Sequence, residues 1–110
     1  MSVKIIPLDS FKQDFKKLQK KYKNIKSDIK KLILELEENP KCGISLQDNC
    51  FKVRVANSSI PTGKRGGFRT IYYFLDKNNI IYLISIYSKT QRENISDIEL
   101  SKLLKINNIT

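Results

Sequence analysis

The 110-residue sequence has no histidine and no tryptophan, and its only cysteines are Cys42 and Cys50. The commonest general base is therefore missing, so proton transfer near neutral pH falls to lysine, tyrosine or a carboxylate with a displaced pKa. Two thiols without histidine give a zinc site too few of its usual ligands, and neither a metal nor a cofactor is expected. With no export signal, the cysteines are expected to be reduced and to act as small hydrophobes. The apolar run in Met1 to Pro7 is too short for a signal peptide, and no stretch approaches a membrane span. The cytoplasm is the expected location, with no membrane partner. Acids are also scarce: 11 Asp and Glu stand against 21 Lys and Arg. No paired carboxylates and no Ser/His/Asp arrangement are visible; Asp76, Glu93, Asp97 and Glu99 read as turn and cap residues.

What is present fits a single domain over residues 1–110, long enough to bury one core. The net charge of +10 is unevenly spread. Residues 50–92 hold Lys52, Arg54, Lys64, Arg65, Arg69, Lys77, Lys89 and Arg92 against one acid, Asp76. Such a surface attracts polyanions. Nine more lysines, from Lys12 to Lys31, fall among the acids of the N-terminal third and read mainly as solvated helix faces, with docking to RNA or the ribosome as the lesser reading.

Periodicity gives the elements. Val3 to Ile6 reads as an edge strand. Ser10-Phe11-Lys12-Gln13 has the spacing of a capping box and predicts a helix whose stripe is Phe11, Phe15, Leu18 and Tyr22. Asn24 is placed to cap a second helix carrying Ile25, Ile29, Leu32, Ile33 and Leu36, which Asn39-Pro40 ends. Residues 40–50 read as loop, with a short extended piece at Ile44 to Leu46. The period then changes to two: Phe51, Val53 and Val55 alternate with Lys52 and Arg54. Phe68 to Leu75 and Ile80 to Ser88, joined by four polar residues, form a hairpin, and the second strand is apolar on both faces and so central. Ser96-Asp97-Ile98-Glu99 is another capping box, opening a short terminal helix. The fold class is α+β: an N-terminal helical hairpin on an antiparallel sheet, with a short C-terminal helix.

The chemistry concentrates at Gly63-Lys64-Arg65-Gly66-Gly67-Phe68-Arg69. Glycines permit positive φ and close approach, and backbone N–H groups in such a turn can make a concave anion site. A flexible, merely soluble hairpin tip is the plainer reading. Strict alternation puts Arg69, Ile71 and Tyr73 on one strand face and Lys89, Tyr87, Ser85 and Leu83 on one face of the next. Beside Lys52 and Arg54 they make a basic, aromatic-lined surface. Clustered cations and rings bind single-stranded RNA. The same cations suit metal-free RNA cleavage, where the 2′-hydroxyl attacks its own phosphate and preorganised charge stabilises the transition state. Arg69 and Arg65 suit phosphate clamping, Lys89 is a candidate base through crowding by like charge, and Tyr87 or Tyr73 suits nucleotide orientation or proton relay. Lys52, Arg54, Lys64 and Tyr73 are the candidate RNA-binding residues. Packing is the competing role for the strand tyrosines.

Phe51-Lys52-Val53-Arg54-Val55-Ala56, the run from Gly63 to Phe74, and Ile81-Tyr82-Leu83-Ile84-Ser85-Ile86-Tyr87-Ser88-Lys89 resemble the RelE/ParE superfamily of toxins from bacterial toxin–antitoxin pairs, in particular its HigB branch. The resemblance implies a small microbial-ribonuclease-like (RelE-type) fold. It also implies endoribonuclease cleavage of mRNA in the ribosomal A site, with mRNA, the ribosome and its 16S rRNA as partners, and neutralisation by an antitoxin. By motif position Arg69 matches the phosphate-binding arginine, Lys89 a cation on the last strand, and Lys52 and Arg54 the basic pair on the preceding one. Some members carry tyrosine or histidine where the last helix begins; here Glu93-Asn94-Ile95 stands instead. The concentrated positive charge predicts that the antitoxin brings an acidic segment. The alternatives are a ParE-like toxin that poisons a topoisomerase and a plain RNA-binding module.

Overall fold

The structure, a computed structural model, describes residues 3–61, 63–91 and 94–109; the side chains of Lys64 and Arg65 lie outside that description. The elements run β1 (Lys4–Pro7), α1 (Asp9–Lys21), α2 (Ile25–Glu38), β2 (Ile44–Ser45), β3 (Cys50–Val55), β4 (Phe68–Leu75), β5 (Ile80–Ser88) and α3 (Asp97–Ile106). Short 3₁₀ turns at Gly63–Gly66 and Asp76–Asn78 precede and follow β4. The strands form one sheet in the order β1-β5-β4-β3-β2. It is antiparallel except at the β1 edge, where β1 runs parallel to β5 with Lys4 beside Ile80. No described helix is long and apolar enough to cross a membrane.

Both sheet faces are covered, which is why β5 is apolar on both sides. The helical hairpin supplies Phe11, Leu18, Tyr22, Ile25, Ile29, Leu32 and Leu36 to the larger core, against Phe51, Val53, Val55, Phe68, Tyr72, Leu83 and Ile86. On the opposite face Leu100 and Leu104 of α3 pack on Cys50, Ile71, Ile84 and Tyr87. Helix α3 covers only part of that face. The end of the sheet carrying Arg54 and Arg69 extends past it.

The helix starts differ from one another. Ser96 and Glu99 make the reciprocal capping box of α3 that the sequence predicts. Helix α1 instead begins at Asp9, with Leu8 at the cap position and no side-chain cap bond. The Ser10 hydroxyl is used elsewhere: it donates to the carbonyl of Ile84 and accepts from Asn107 Nδ2. Asn24 does sit at the start of α2, but its side chain makes no cap bond.

One irregularity sets the sidedness of β5. Ile71 pairs with Ser85 and Tyr72 with Leu83, so Ile84 is an extra residue on β5. A bulge shifts the alternation by one. Leu83 therefore points into the hairpin core, and does not share the face of Tyr87 as unbroken alternation predicts. The Asp14 carboxylate of α1 holds the bulge, accepting from Ser85 Oγ at 2.8 Å and from the backbone N–H of Ile86 at 3.2 Å.

Candidate nucleic-acid interface

Strand register builds the site. Arg54 lies directly across from Arg69 on β4, and Arg69 directly across from Tyr87 on β5. Lys52 is two residues from Arg54 and therefore on the same face. Lys89 follows β5 in the turn at its end, its backbone N–H donating to the carbonyl of Gly67 at 3.0 Å. The result is a cleft of about 200 Å³ lined by Ile44, Lys52, Arg54, Arg69, Lys89 and Asn94. Four of these six residues are cations, and none is an acid.

Arg69 is the buried member, 4 % exposed, and one guanidinium nitrogen donates to its neighbour Phe68's carbonyl at 3.1 Å. Burial lowers its pKa below the ordinary arginine value and the charge of Arg54 lowers it further, while Tyr87 opposes the shift. An arginine remains protonated under such a shift. The direction marks a guanidinium under-supplied with counter-charge, which an arriving anion relieves. Arg54 is exposed and Lys89 half-buried, so both can meet a ligand from solvent. Lys52 Nζ donates to Asn94 Oδ1 at 2.7 Å, closing one side of the cleft with the segment that leads into α3.

Lys52, Arg54, Arg69 and Lys89 are thus brought together. Tyr87 lies directly below, 5 % exposed in the core under α3, where it flanks Arg69 and is not open to stack on a base. Tyr73 shares the face of Arg69 but lies four residues along the strand, about 13 Å away. There it packs beside Tyr82, ring centroids 6.3 Å apart, over a hollow formed with Leu8, Leu75 and Asn107. The side chains of Lys64 and Arg65 lie outside the described residues; their backbone forms the 3₁₀ turn before β4. The glycines of that loop have two separate reasons. Gly63 takes φ +61°, in open space. Gly67 is required because a Cβ there would lie 2.0 Å from the carbonyl oxygen of Val55, so close does the chain pass the end of β3.

Ile44 and Asn94 are the site residues the sequence reading did not single out. Ile44, 59 % exposed on β2, forms a lip of the cleft. The departure at Glu93-Asn94-Ile95 was the available signal for Asn94, since that stretch must pass the end of β4 to reach α3. Chemically, the cleft offers two planar guanidinium forks and two ammonium groups. That set suits a phosphodiester, with forks on the non-bridging oxygens and ammonium groups as mobile point charges and proton carriers.

Comparison with known proteins agrees with this architecture. The sequence model of a family described as "RelE toxin of RelE / RelB toxin-antitoxin system" matches residues 10–110. Among solved structures, a mutant of the E. coli toxin RelE in the free state aligns with a TM-score of 0.64 and 17 % identity, over 96 % of this chain and 98 % of that one. A RelBE toxin–antitoxin complex from Mycobacterium tuberculosis aligns at 0.60 and 16 %, over 80 % and 99 %. The intact E. coli RelBE complex aligns at 0.56 and 20 %, over 77 % and 94 %. At such identities the structural likeness is one of fold.

Proposed function

The chain belongs to the RelE family of toxins from toxin–antitoxin systems, and from that premise we propose that it is a ribosome-dependent endoribonuclease of the cytoplasm that cuts mRNA in the A site. The observation that carries the proposal is the cleft itself: Lys52, Arg54, Arg69 and Lys89 converge on one concavity with no carboxylate among its described lining residues.

In this reaction the 2′-oxygen of a nucleotide bonds to the adjacent phosphorus while the bond from phosphorus to the 5′-oxygen breaks, leaving a cyclic phosphate and a 5′-hydroxyl. One proton leaves the 2′-oxygen and one reaches the 5′-oxygen. Arg69, held in the sheet, and Arg54 opposite it grip the non-bridging oxygens, where charge accumulates. Lys89, at the rim on a turn, exchanges protons with the reacting oxygens, and Lys52 holds the neighbouring phosphate. Tyr87 acts from beneath by flanking Arg69. The remaining basic surface, including Lys64 and Arg65, faces mRNA and 16S rRNA. An antitoxin silences the cleft with an acidic segment, and the HigB-like motifs place the chain in that branch of the superfamily.

The test is primer extension on an mRNA in a reconstituted translation reaction, comparing wild type with Arg69→Ala, ribosomes present or omitted. Cuts at codon-spaced positions that need ribosomes and vanish in the variant are expected. Normal translation with no cuts would overturn the proposal and direct attention to topoisomerase poisoning, read as DNA damage after expression.

A further inference from the structure

The cleft needs Lys89 at a fixed place, yet Lys89 lies on a turn beyond the last strand residue. What holds that turn lies on the other side of the sheet. Tyr22 follows α1 and is 6 % exposed, with its ring edge-on to Phe68 at 5.4 Å. Its phenol hydrogen-bonds the side chains of Thr90 and Ser88, the two residues flanking Lys89. Those hydroxyls are themselves 2.7 Å apart, and Ser88 Oγ accepts the N–H of Thr90 at 3.2 Å. The Ser88 carbonyl accepts from the N–H of Gln91 at 3.0 Å, closing the turn. Ser88 pairs with Phe68, on whose ring Tyr22 rests, so the helical hairpin, β4 and the turn meet at one point.

We infer that Tyr22 is a positioning residue for the cleft: its phenol ties the turn 88–91 from below and so fixes where Lys89 stands above. This rests on the endoribonuclease reading. Neither Tyr22 nor its hydroxyl partners line the cleft, so any effect on chemistry passes through Lys89 or its backbone. The lowered pKa of Tyr22, due first to Thr90 and then Ser88, with Lys21 assisting and burial opposing, fits a phenol oxygen that receives these hydrogen bonds. The core uses the ring and the turn uses the oxygen. Tyr22→Phe therefore separates the two roles, because the ring stays and only the tie is lost.

The experiment is a double-mutant cycle in the translation reaction, with wild type, Tyr22→Phe, Lys89→Ala and the double variant, and Thr90→Val as a second way to cut the tie. Tyr22→Phe and Thr90→Val are each expected to slow cleavage about fivefold, the effect of roughly one hydrogen bond. In the Lys89→Ala background Tyr22→Phe is expected to change nothing further, because its route has been removed. A Tyr22→Phe protein that cuts at the wild-type rate would overturn the inference. An equal loss in both backgrounds would also overturn it, since that marks general loosening. If wild type cuts nothing, the function assignment has failed, and the same cycle is then read in low-salt binding of a single-stranded RNA oligonucleotide. Coupling between Tyr22 and Lys89 in that binding sustains the inference, and its absence defeats it.

Discussion

Arg54 and Arg69 stand opposite each other on neighbouring strands, an arrangement that natural sheets avoid because like charges repel across the ladder. Replacing Arg54 by glutamine keeps the length and polarity of the side chain and deletes the repulsion. For charges roughly 7 Å apart, Coulomb's law gives about 0.6 kcal/mol at the dielectric of water and about 2.4 kcal/mol at an effective value of 20. Arg54 is exposed, so the gain falls towards the lower end, about 0.5–1 kcal/mol at low ionic strength. For a domain of this size that raises the melting temperature by roughly 2–6 °C. Urea unfolding in ~10 mM salt should show a higher midpoint with an unchanged slope. The gap should close towards 0.5 M salt as the Debye length shrinks. Millimolar sulfate should stabilise wild type more than the variant, since the anion supplies the missing counter-charge. The more stable protein should cut mRNA more slowly. An Arg54→Gln variant equal to or weaker than wild type at low salt would refute this account of the cleft as a site strained by its own charge.

The two loop glycines should behave differently: Gly67→Ala forces a Cβ against backbone and should cost about 3 kcal/mol or more in urea unfolding, whereas Gly63→Ala meets open space and should cost only about 1 kcal/mol, for its left-handed φ. Alkylation of the native protein at pH 8 should modify the exposed Cys42 and spare Cys50, which is fully buried; equal labelling would contradict the placement of Cys50 under α3. Burial, with Asp48 adding to it, pushes the Cys50 thiol from 9.0 up to about 12. The unfolded chain therefore loses this proton first as pH rises. Relative to a Cys50→Ala variant, wild type should lose about 1.4 kcal/mol of stability per pH unit between 9 and 12, and none below 9. Tyr72→Phe should cost about 1–3 kcal/mol, because the phenol donates to the Pro40 carbonyl at 2.8 Å and accepts from the Gly43 N–H at 3.2 Å, both then left unpaired; faster hydrogen exchange at Gly43 is the accompanying readout.

Much of the fold and part of the site could be read from residue spacing, and the gaps have physical causes. The helical stripes were legible because a 3.6-residue period survives packing: Phe11, Leu18, Ile25, Ile29, Leu32 and Leu36 are all buried. Lys52, Arg54 and Arg69 were legible because β3 and β4 keep unbroken alternation. On β5 the alternation carries no information, since both faces are apolar, and the extra residue Ile84 could not be seen. The Ser10 spacing misled for a related reason. A capping pattern states what a hydroxyl can bond, and here the carbonyl at the bulge took it. Tyr73 satisfied the rule for facing but not for distance along the strand. Asn94 enters the cleft only through the path of the chain after β5, which no local pattern encodes.

The parallel pairing of β1 with β5 joins Lys4 to Ile80, and it governs when the molecule can exist. A chain emerging from its own ribosome presents β1, α1 and α2 first, but these have no sheet to lie against until β4 and β5 have appeared. Contacts this far apart in sequence form late. Through most of its synthesis the growing chain carries Lys52, Arg54 and Arg69 as scattered charges, and only the arrival of Lys89 completes the cleft. The order of emergence thus builds in a delay between making the chain and arming it, during which an acidic partner translated beforehand can meet the nascent protein before it has anything to inhibit.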